Sequence, residues 1–241
     1  MRLDQFLVKN NICSRSEGKQ YVKKGRVTVD GKVVRDSSLH IDEHNSVVKF
    51  DGRVIAYEEF SYLMLNKPKD CVSATKDGLS STVIDLLGAD AIPGLFPVGR
   101  LDKDTEGLLL ITNDGQLAHR LLSPRHHVDK VYYVVADREI TDEDMIKMEQ
   151  GLDIGDDKPT LPATVKKVNF VPEGREGYSY ELTIHEGRFH QVKRMFEACG
   201  SKVIYLKRLT MGSLRLDDKL LPGEYRKLYA EELTELINSS K

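Results

Sequence analysis

The sequence predicts an α+β protein: a small N-terminal module of two helices and a hairpin, then a larger domain of strands and helices. Three observations lead there. A Ser-x-x-Glu capping box, Ser14-Arg15-Ser16-Glu17, precedes a two-residue Asp30-Gly31 turn set between alternating segments. Leu108-Leu109-Leu110-Ile111-Thr112 is an apolar, β-branched run bounded by Gly107 and by Asn113-Asp114-Gly115, the mark of a buried strand. After an alternating strand at 178–184, Val192, Met195, Phe196 and Cys199 fall at i, i+3, i+4 and i+7, which gives a helix one core face.

The elements follow in order. Leu3, Phe6 and Leu7 share one face of a short helix with Lys9 and Asn10 near its end. A second helix starts at the capping box and runs to Lys23-Lys24, where Gly25 is placed to end it. Arg26–Val29 and Lys32–Val34 flank Asp30-Gly31 as a hairpin, and 51–60 reads as a linker. Tyr62–Leu65 is a strand that runs into Asn66-Lys67-Pro68, an edge at which a ligand could lie. A helix is expected from Thr82 to Leu87 with Gly88 as its stop. Gln116–Leu122 is helical, Lys130–Val135 is a strand, 139–151 an acidic helix stopped by Gly151, and Ala163–Val165 a further strand. A Leu214–Leu216 strand and a terminal helix from about Ala230 to Ile237 complete the chain.

With 241 residues and a net charge of -2, composition alone names no partner, but the charge is unevenly spread. Residues 1–35 hold nine Lys/Arg against three Asp/Glu, residues 185–215 seven against two, and residues 137–160 three against nine. Two basic zones could supply phosphate contacts, and an acidic zone disfavours wrong orientations. No apolar run of about eighteen residues exists, so no membrane span is expected. The N-terminus lacks a signal-peptide core, and Cys13, Cys71 and Cys199 have no paired spacing, which together suggest the cytoplasm.

Several chemistries lack their motifs. No His-x-x-x-His or Cys-x-x-Cys spacing points to a metal, and no glycine-rich nucleotide loop points to a nucleotide cofactor; none of either kind is expected. What stands out is Val98-Gly99-Arg100-Leu101-Asp102-Lys103-Asp104-Thr105-Glu106-Gly107, a charged loop fixed by the buried strand that follows it. A loop carboxylate flanked by cations stays ionised and can serve as nucleophile or base towards a sugar carbon that gains positive character. Arg188 and His190 approach the N-terminus of the Gln191-Val192-Lys193-Arg194 helix, so this joint reads as a phosphate clamp.

Two stretches resemble known families. Arg2-Leu3-Asp4, Phe6-Leu7, Ser14-Arg15-Ser16 and Gly25-Arg26-Val27-Thr28-Val29-Asp30-Gly31 are similar to the S4 RNA-binding module, over about residues 1–50. Gly99-Arg100-Leu101-Asp102 with Thr105-Glu106-Gly107-Leu108-Leu109-Leu110 resembles the central motif of the pseudouridine synthases. Lys130-x-Tyr132, Gly187-Arg188-x-His190-Gln191-Val192-Lys193-Arg194-Met195 and Leu206-x-Arg208 resemble further motifs of that family in the same order. Ser123-Pro124-Arg125-His126-His127 and Pro222-Gly223-Glu224-Tyr225-Arg226 are most similar to its ribosomal small subunit pseudouridine synthase A branch.

The resemblance implies an S4 module over 1–55, a linker over 56–60 and a catalytic domain over 61–241 built on a mixed, mainly antiparallel sheet. It implies isomerisation of one uridine of small-subunit (16S) rRNA to pseudouridine, on free rRNA or an assembling subunit, by a monomer needing no cofactor. Large-subunit (23S) rRNA is the alternative target, and a non-catalytic S4-type RNA-binding protein a further one. Asp102 matches the essential aspartate, attacking C1′ or removing the C2′ proton. Tyr132 matches the residue stacked on the base, Lys193 the cation paired with Asp102, and Arg100 would keep the flipped nucleotide out of its helix. Arg188, His190, Gln191, Arg194 and Arg208, with Arg2, Arg15, Lys19, Lys23, Lys24 and Arg26 of the module, are expected to bind RNA. Asp104 and Glu106 are assigned to solvent or structure.

Overall fold

The computed structural model describes the chain except residues 11, 56, 58, 124, 125, 173, 175, 240 and 241. Met1–Phe60 with Ala89–Gly94 form one compact unit, and Ser61–Gly88 with Leu95–Lys241 form another. The fold is α+β, and no helix of the described residues is long and apolar enough to cross a membrane.

In the first unit, α1 (Leu3–Lys9) packs beside α2 (Arg15–Lys23). Ser14 caps α2: its backbone N–H donates to Glu17 at 2.9 Å while its hydroxyl oxygen accepts from the Glu17 N–H, an arrangement that contributes about 1 kcal/mol. Four short strands, β1 (Val27–Val29), β2 (Lys32–Val33), β3 (Val48–Phe50) and β4 (Arg53–Val54), pair antiparallel in the order β2-β1-β3-β4. Asp30 and Gly31 both take positive φ, 48° and 79°, as a two-residue hairpin between right-twisted strands requires.

The same chemistry recurs at Asp51 (47°) and Gly52 (81°), so the expected linker over 51–60 begins instead as a turn and the strand β4. Tyr57 then stacks on Phe6, with ring centroids 5.7 Å apart. Residues 56 and 58 of that stretch lie outside the described residues. Leu3, Phe6, Leu7, Val22, Val27 and Val48 form the core of this unit.

The second unit is organised by β7 (Glu106–Thr112), whose residues from Gly107 onward are all buried. Before it come β5 (Tyr62–Lys67), a 3-10 segment (Asp85–Asp90) and β6 (Phe96–Pro97). After it come α3 (Gly115–Leu122), β8 (Lys130–Ala136), α4 (Asp142–Gln150), β9 (Thr164–Val168), β10 (Tyr178–Ile184), α5 (Gln191–Ala198), β11 (Val203–Met211), β12 (Leu214–Arg215), β13 (Tyr225–Lys227) and α6 (Ala230–Ser239). The main sheet runs β13-β5-β7-β11-β8-β10-β9, antiparallel throughout except for β7–β11.

At that parallel step Gly107 lies opposite Arg208, and a Cβ added at Gly107 would stand 2.3 Å from the Arg208 carbonyl oxygen. Its φ of 100° and this contact both demand glycine. Met64, Leu108 and Leu110 pack with α3 and α6 through Leu117, Leu121 and Leu236. Towards the far end of the sheet, Tyr180 of β10 and Phe196 of α5 lie 5.4 Å apart.

Two helical segments start later than expected because a threonine ahead of each hydrogen-bonds the residue three positions on. Thr82 exchanges hydrogen bonds with Asp85 instead of opening a helix, and Gly88, at φ 53°, interrupts the 3-10 segment. Thr141 caps α4 in a box with Asp144, so the acidic helix begins at Asp142.

Lys130 is buried and donates to the Val128 carbonyl at 2.7 Å. Burial, reinforced by the charge of Arg208, pushes its ammonium down to about 8. Between that value and the ordinary lysine value the unfolded chain holds a proton the folded chain has lost, so stability rises with pH across this window. Below it, charging the buried amine costs on the order of 3 kcal/mol. Lys130→Met should therefore gain about 2 kcal/mol at pH 7, after loss of the bond to Val128, and that gain should vanish near pH 10. Urea unfolding of both proteins at the two pH values measures the difference; an equal offset at both would refute it.

Candidate active site

The 98–105 loop is held from three sides. Gly99 enters it at φ 77°, and a Cβ there would press on Leu122 at 2.8 Å. Ser73, buried, donates to the Leu101 carbonyl at 2.9 Å and accepts the Leu101 N–H at 3.1 Å. Lys67, at the end of β5, has no exposed surface. Its ammonium donates to the carbonyls of Thr105 (2.8 Å), Pro68 (3.0 Å) and Lys103 (3.2 Å), and burial lowers its pKa. All three donors are used on backbone, two of them on the loop itself. The Thr105 N–H closes a turn on the Asp102 carbonyl at 3.1 Å, which fixes where the Asp102 side chain starts.

That side chain meets α5. Lys193 Nζ lies 3.2 Å from Asp102 Oδ2, and His190 Nε2 lies 3.5 Å from Asp102 Oδ1. Lys193 is shared, because Asp104 takes it at 2.6 and 2.9 Å. Burial would lower the Lys193 ammonium, yet its bond to Asp104 and the charge of Asp102 hold it above the usual lysine value. Asp104 is in turn held below the usual carboxylate range by Lys193, against the opposing effect of burial. Asp104, assigned above to solvent or structure, thus belongs to the charge cluster. Glu106 instead accepts the Tyr205 hydroxyl at 2.9 Å.

Asp102, Lys193, His190, Arg100, Thr105 and Tyr132 line one open cleft. Tyr132 is 7% exposed and faces the cleft, whereas Tyr133, on the other face of β8, donates to the Phe170 carbonyl and packs on Tyr205. Arg100 is exposed on the rim. The buried Thr105 hydroxyl has no partner among the described residues.

Several expected RNA contacts are placed otherwise. Arg188 donates to Glu186 (3.0 Å), to Asp156 (3.3 Å) and to the carbonyls of Lys158 and Pro159 (2.6 Å each). Arg194 makes a two-pronged bond to Asp156 at 2.8 and 2.6 Å. Of the two residues expected to form a phosphate clamp at this joint, Arg188 is paired with the acidic 153–160 loop and His190 faces Asp102. Gln191, 4% exposed, accepts the Arg188 N–H and donates to Glu186, so its amide braces the loop. Arg208, 2% exposed, donates through Nε to the Leu108 carbonyl at 2.8 Å, because its partner strands bury it; it offers no surface to RNA.

In the first unit, Arg15, Lys19, Lys23 and Lys24 are exposed, the first three sharing a face of α2. Arg2 binds Asp4 at 3.1 and 2.8 Å, and Arg26 pairs with Asp51 while lying over the rings of Tyr21 (4.4 Å) and Phe50 (4.6 Å). Pro124 and Arg125 of the 123–127 motif lie outside the described residues.

Sequence reasoning overlooked Ser73, Asp156 and the anchoring role of Lys67. Lys67-Pro68 at a strand end was a usable signal, since a lysine following the buried Leu63-Met64-Leu65 run must find partners when buried. Among the described residues, no group of three or more His, Cys, Asp or Glu is arranged to hold a metal ion.

Comparison with known proteins shows the family. The family model for RNA pseudouridylate synthase matches residues 61–198, and that for the S4 domain matches residues 1–47. An uncharacterised RNA pseudouridine synthase of Bacillus subtilis is 48% identical over 97% of each chain. Ribosomal small subunit pseudouridine synthase A of Escherichia coli is 39% identical over 98% of this chain and 100% of its own. A crystal structure of a pseudouridylate synthase superimposes with a TM-score of 0.67 at 36% identity, covering 98% of this chain and 99% of that one. With agreement extending over both units, this chain belongs to the RNA pseudouridylate synthase family and carries an S4 domain at its N-terminus.

Proposed function

We propose that this pseudouridine synthase acts on one uridine of small-subunit rRNA, as a cytoplasmic monomer, with Asp102 as the reacting carboxylate. The observation that carries the reading is the convergence of Asp102, Lys193 and His190 at the mouth of a cleft lined by Tyr132. Full-length relatives named for the small subunit, from Escherichia coli and Haemophilus influenzae, support the choice of RNA.

The reaction breaks the bond from C1′ to N1 and forms one from C1′ to C5; a proton leaves C5 and one is gained at N1. Atoms and electrons balance within the nucleoside. Asp102 either adds to C1′ as the base departs or removes the C2′ proton. Lys193 holds the carboxylate in place through their contact at 3.2 Å. Tyr132 presents its ring to the base. Arg100, on the rim, stands where it can hold the nucleotide out of its helix, a rearrangement that costs a few kcal/mol. Arg15, Lys19, Lys23 and Lys24 of the S4 unit would offset that cost through phosphate contacts.

Pseudouridines mapped in rRNA from cells with and without the gene test the reading. Loss of one small-subunit site is expected. Loss of a large-subunit site instead would move the target to that RNA, and no loss in either would overturn the proposal.

A further inference from the structure

Phe189 is 74% exposed, although the loop that carries it is among the most firmly held parts of the site. Immediately before it, Arg188 is anchored by Glu186, by Asp156 and by two carbonyls; two residues after it, Gln191 is buried and bonded on both sides. Between them His190 takes a left-handed conformation, φ 49° and ψ 33°, uncommon for a residue with a side chain. Such strain is retained where the surrounding structure imposes it, and is most frequent at functional sites.

The result is that the phenyl ring lies flat on the imidazole of His190, with centroids 3.8 Å apart and planes 17° apart. The other edge of that imidazole reaches Asp102 at 3.5 Å. A stack built on a braced loop, with most of its outer ring in water, contributes little to folding, because burial is what makes a phenyl group stabilising. It does offer a flat aromatic surface, next to a cleft whose rim carries Arg100. An aromatic platform beside a cation is the combination that holds unstacked nucleobases.

We propose that Phe189, supported from behind by His190, is a stacking subsite for a nucleobase neighbouring the uridine that enters the cleft. The subsite rests on the RNA reading above. When the target nucleotide leaves its stack, a neighbouring base loses one of its own partners; the phenyl ring replaces that partner and so helps keep the strand open. Phe189 is thereby a substrate-positioning residue whose contribution lies in RNA affinity, and Asp102 carries the chemistry.

The test uses the full-length protein and small-subunit rRNA purified from cells lacking the gene. Phe189→Ala and Phe189→Leu are both expected to raise KM about tenfold, the scale of one lost base–aromatic stack, with kcat changed by less than about twofold. Phe189→Tyr, which keeps the ring, should return KM towards its original value. In an oligonucleotide spanning the mapped uridine, 2-aminopurine placed beside the target should be quenched on binding Asp102→Asn protein, and the quenching should be lost when Phe189→Ala is added. Thermal unfolding should be the same for all three Phe189 variants.

An unchanged KM in Phe189→Ala, or a Leu variant that matches Phe, overturns the subsite. The gene-deletion mapping judges the underlying reading separately: a lost pseudouridine with an indifferent Phe189 rejects the subsite alone.

Discussion

Asp102→Asn should lower pseudouridine formation by on the order of 10⁴-fold or more, equivalent to roughly 5 kcal/mol of barrier, because the proposed mechanism makes this carboxylate the reacting group. The substitution keeps shape and volume. The side chain is 25% exposed, and Lys193 retains Asp104, so no charge is left buried without a partner. Thermal unfolding should hardly move, which separates lost chemistry from lost fold. Asp104→Asn in the same assay provides the comparison. There Lys193 loses its shorter contacts but keeps Asp102, and a deficit of at most about 100-fold is expected from one charge-assisted bond. A rate near wild type for Asp102→Asn, or a larger loss at Asp104, would reverse the two roles.

Lys67→Met should destabilise the protein by about 3–5 kcal/mol, with a fall in Tm of roughly 10 °C for a chain of this size. Methionine fills much of the same volume, but the carbonyls of Pro68, Lys103 and Thr105 then lose their shared donor, and that of Thr105 is buried. Release of the cost of burying the amine offsets part of this, which is why the range stops short of three full orphaned groups. Two of the three carbonyls flank Asp104 in the loop that carries Asp102, so turnover measured well below the new Tm should fall as well. Calorimetry combined with single-turnover rates checks both halves. A variant with wild-type Tm and rate would show that the loop stands without this anchor.

What could be read from the sequence was local in origin. Capping at Ser14 and the turn at Asp30-Gly31 depend on residues two or three apart, and β7 announces itself by unbroken apolar composition. Asp51-Gly52 carries the same turn signal as Asp30-Gly31, yet in the sequence it reads as the start of a linker. The side-chain placements that differ from expectation depend on partners far along the chain. Arg188 and Arg194 looked free for phosphate, yet Asp156 lies 32 and 38 residues before them. Arg208 looked like a surface cation, but its bond to the Leu108 carbonyl spans 100 residues and exists only because β11 runs parallel to β7. The family resemblance brought Asp102 and Lys193 into one argument; composition gave no hint that Asp104 would hold the lysine more closely.

The parallel β7–β11 step has a consequence for how the protein is made. Glu106 cannot meet Lys207 until a further hundred residues have been synthesised, and β5 waits still longer for β13. Lys193, 89 residues beyond Asp104, arrives almost as late. The first sixty residues, by contrast, have a core of their own and can fold early in translation. A nascent chain therefore carries its RNA-binding module well before it carries a reaction centre. Products of translation interrupted before α5 would hold the Asp102 carboxylate without its cation.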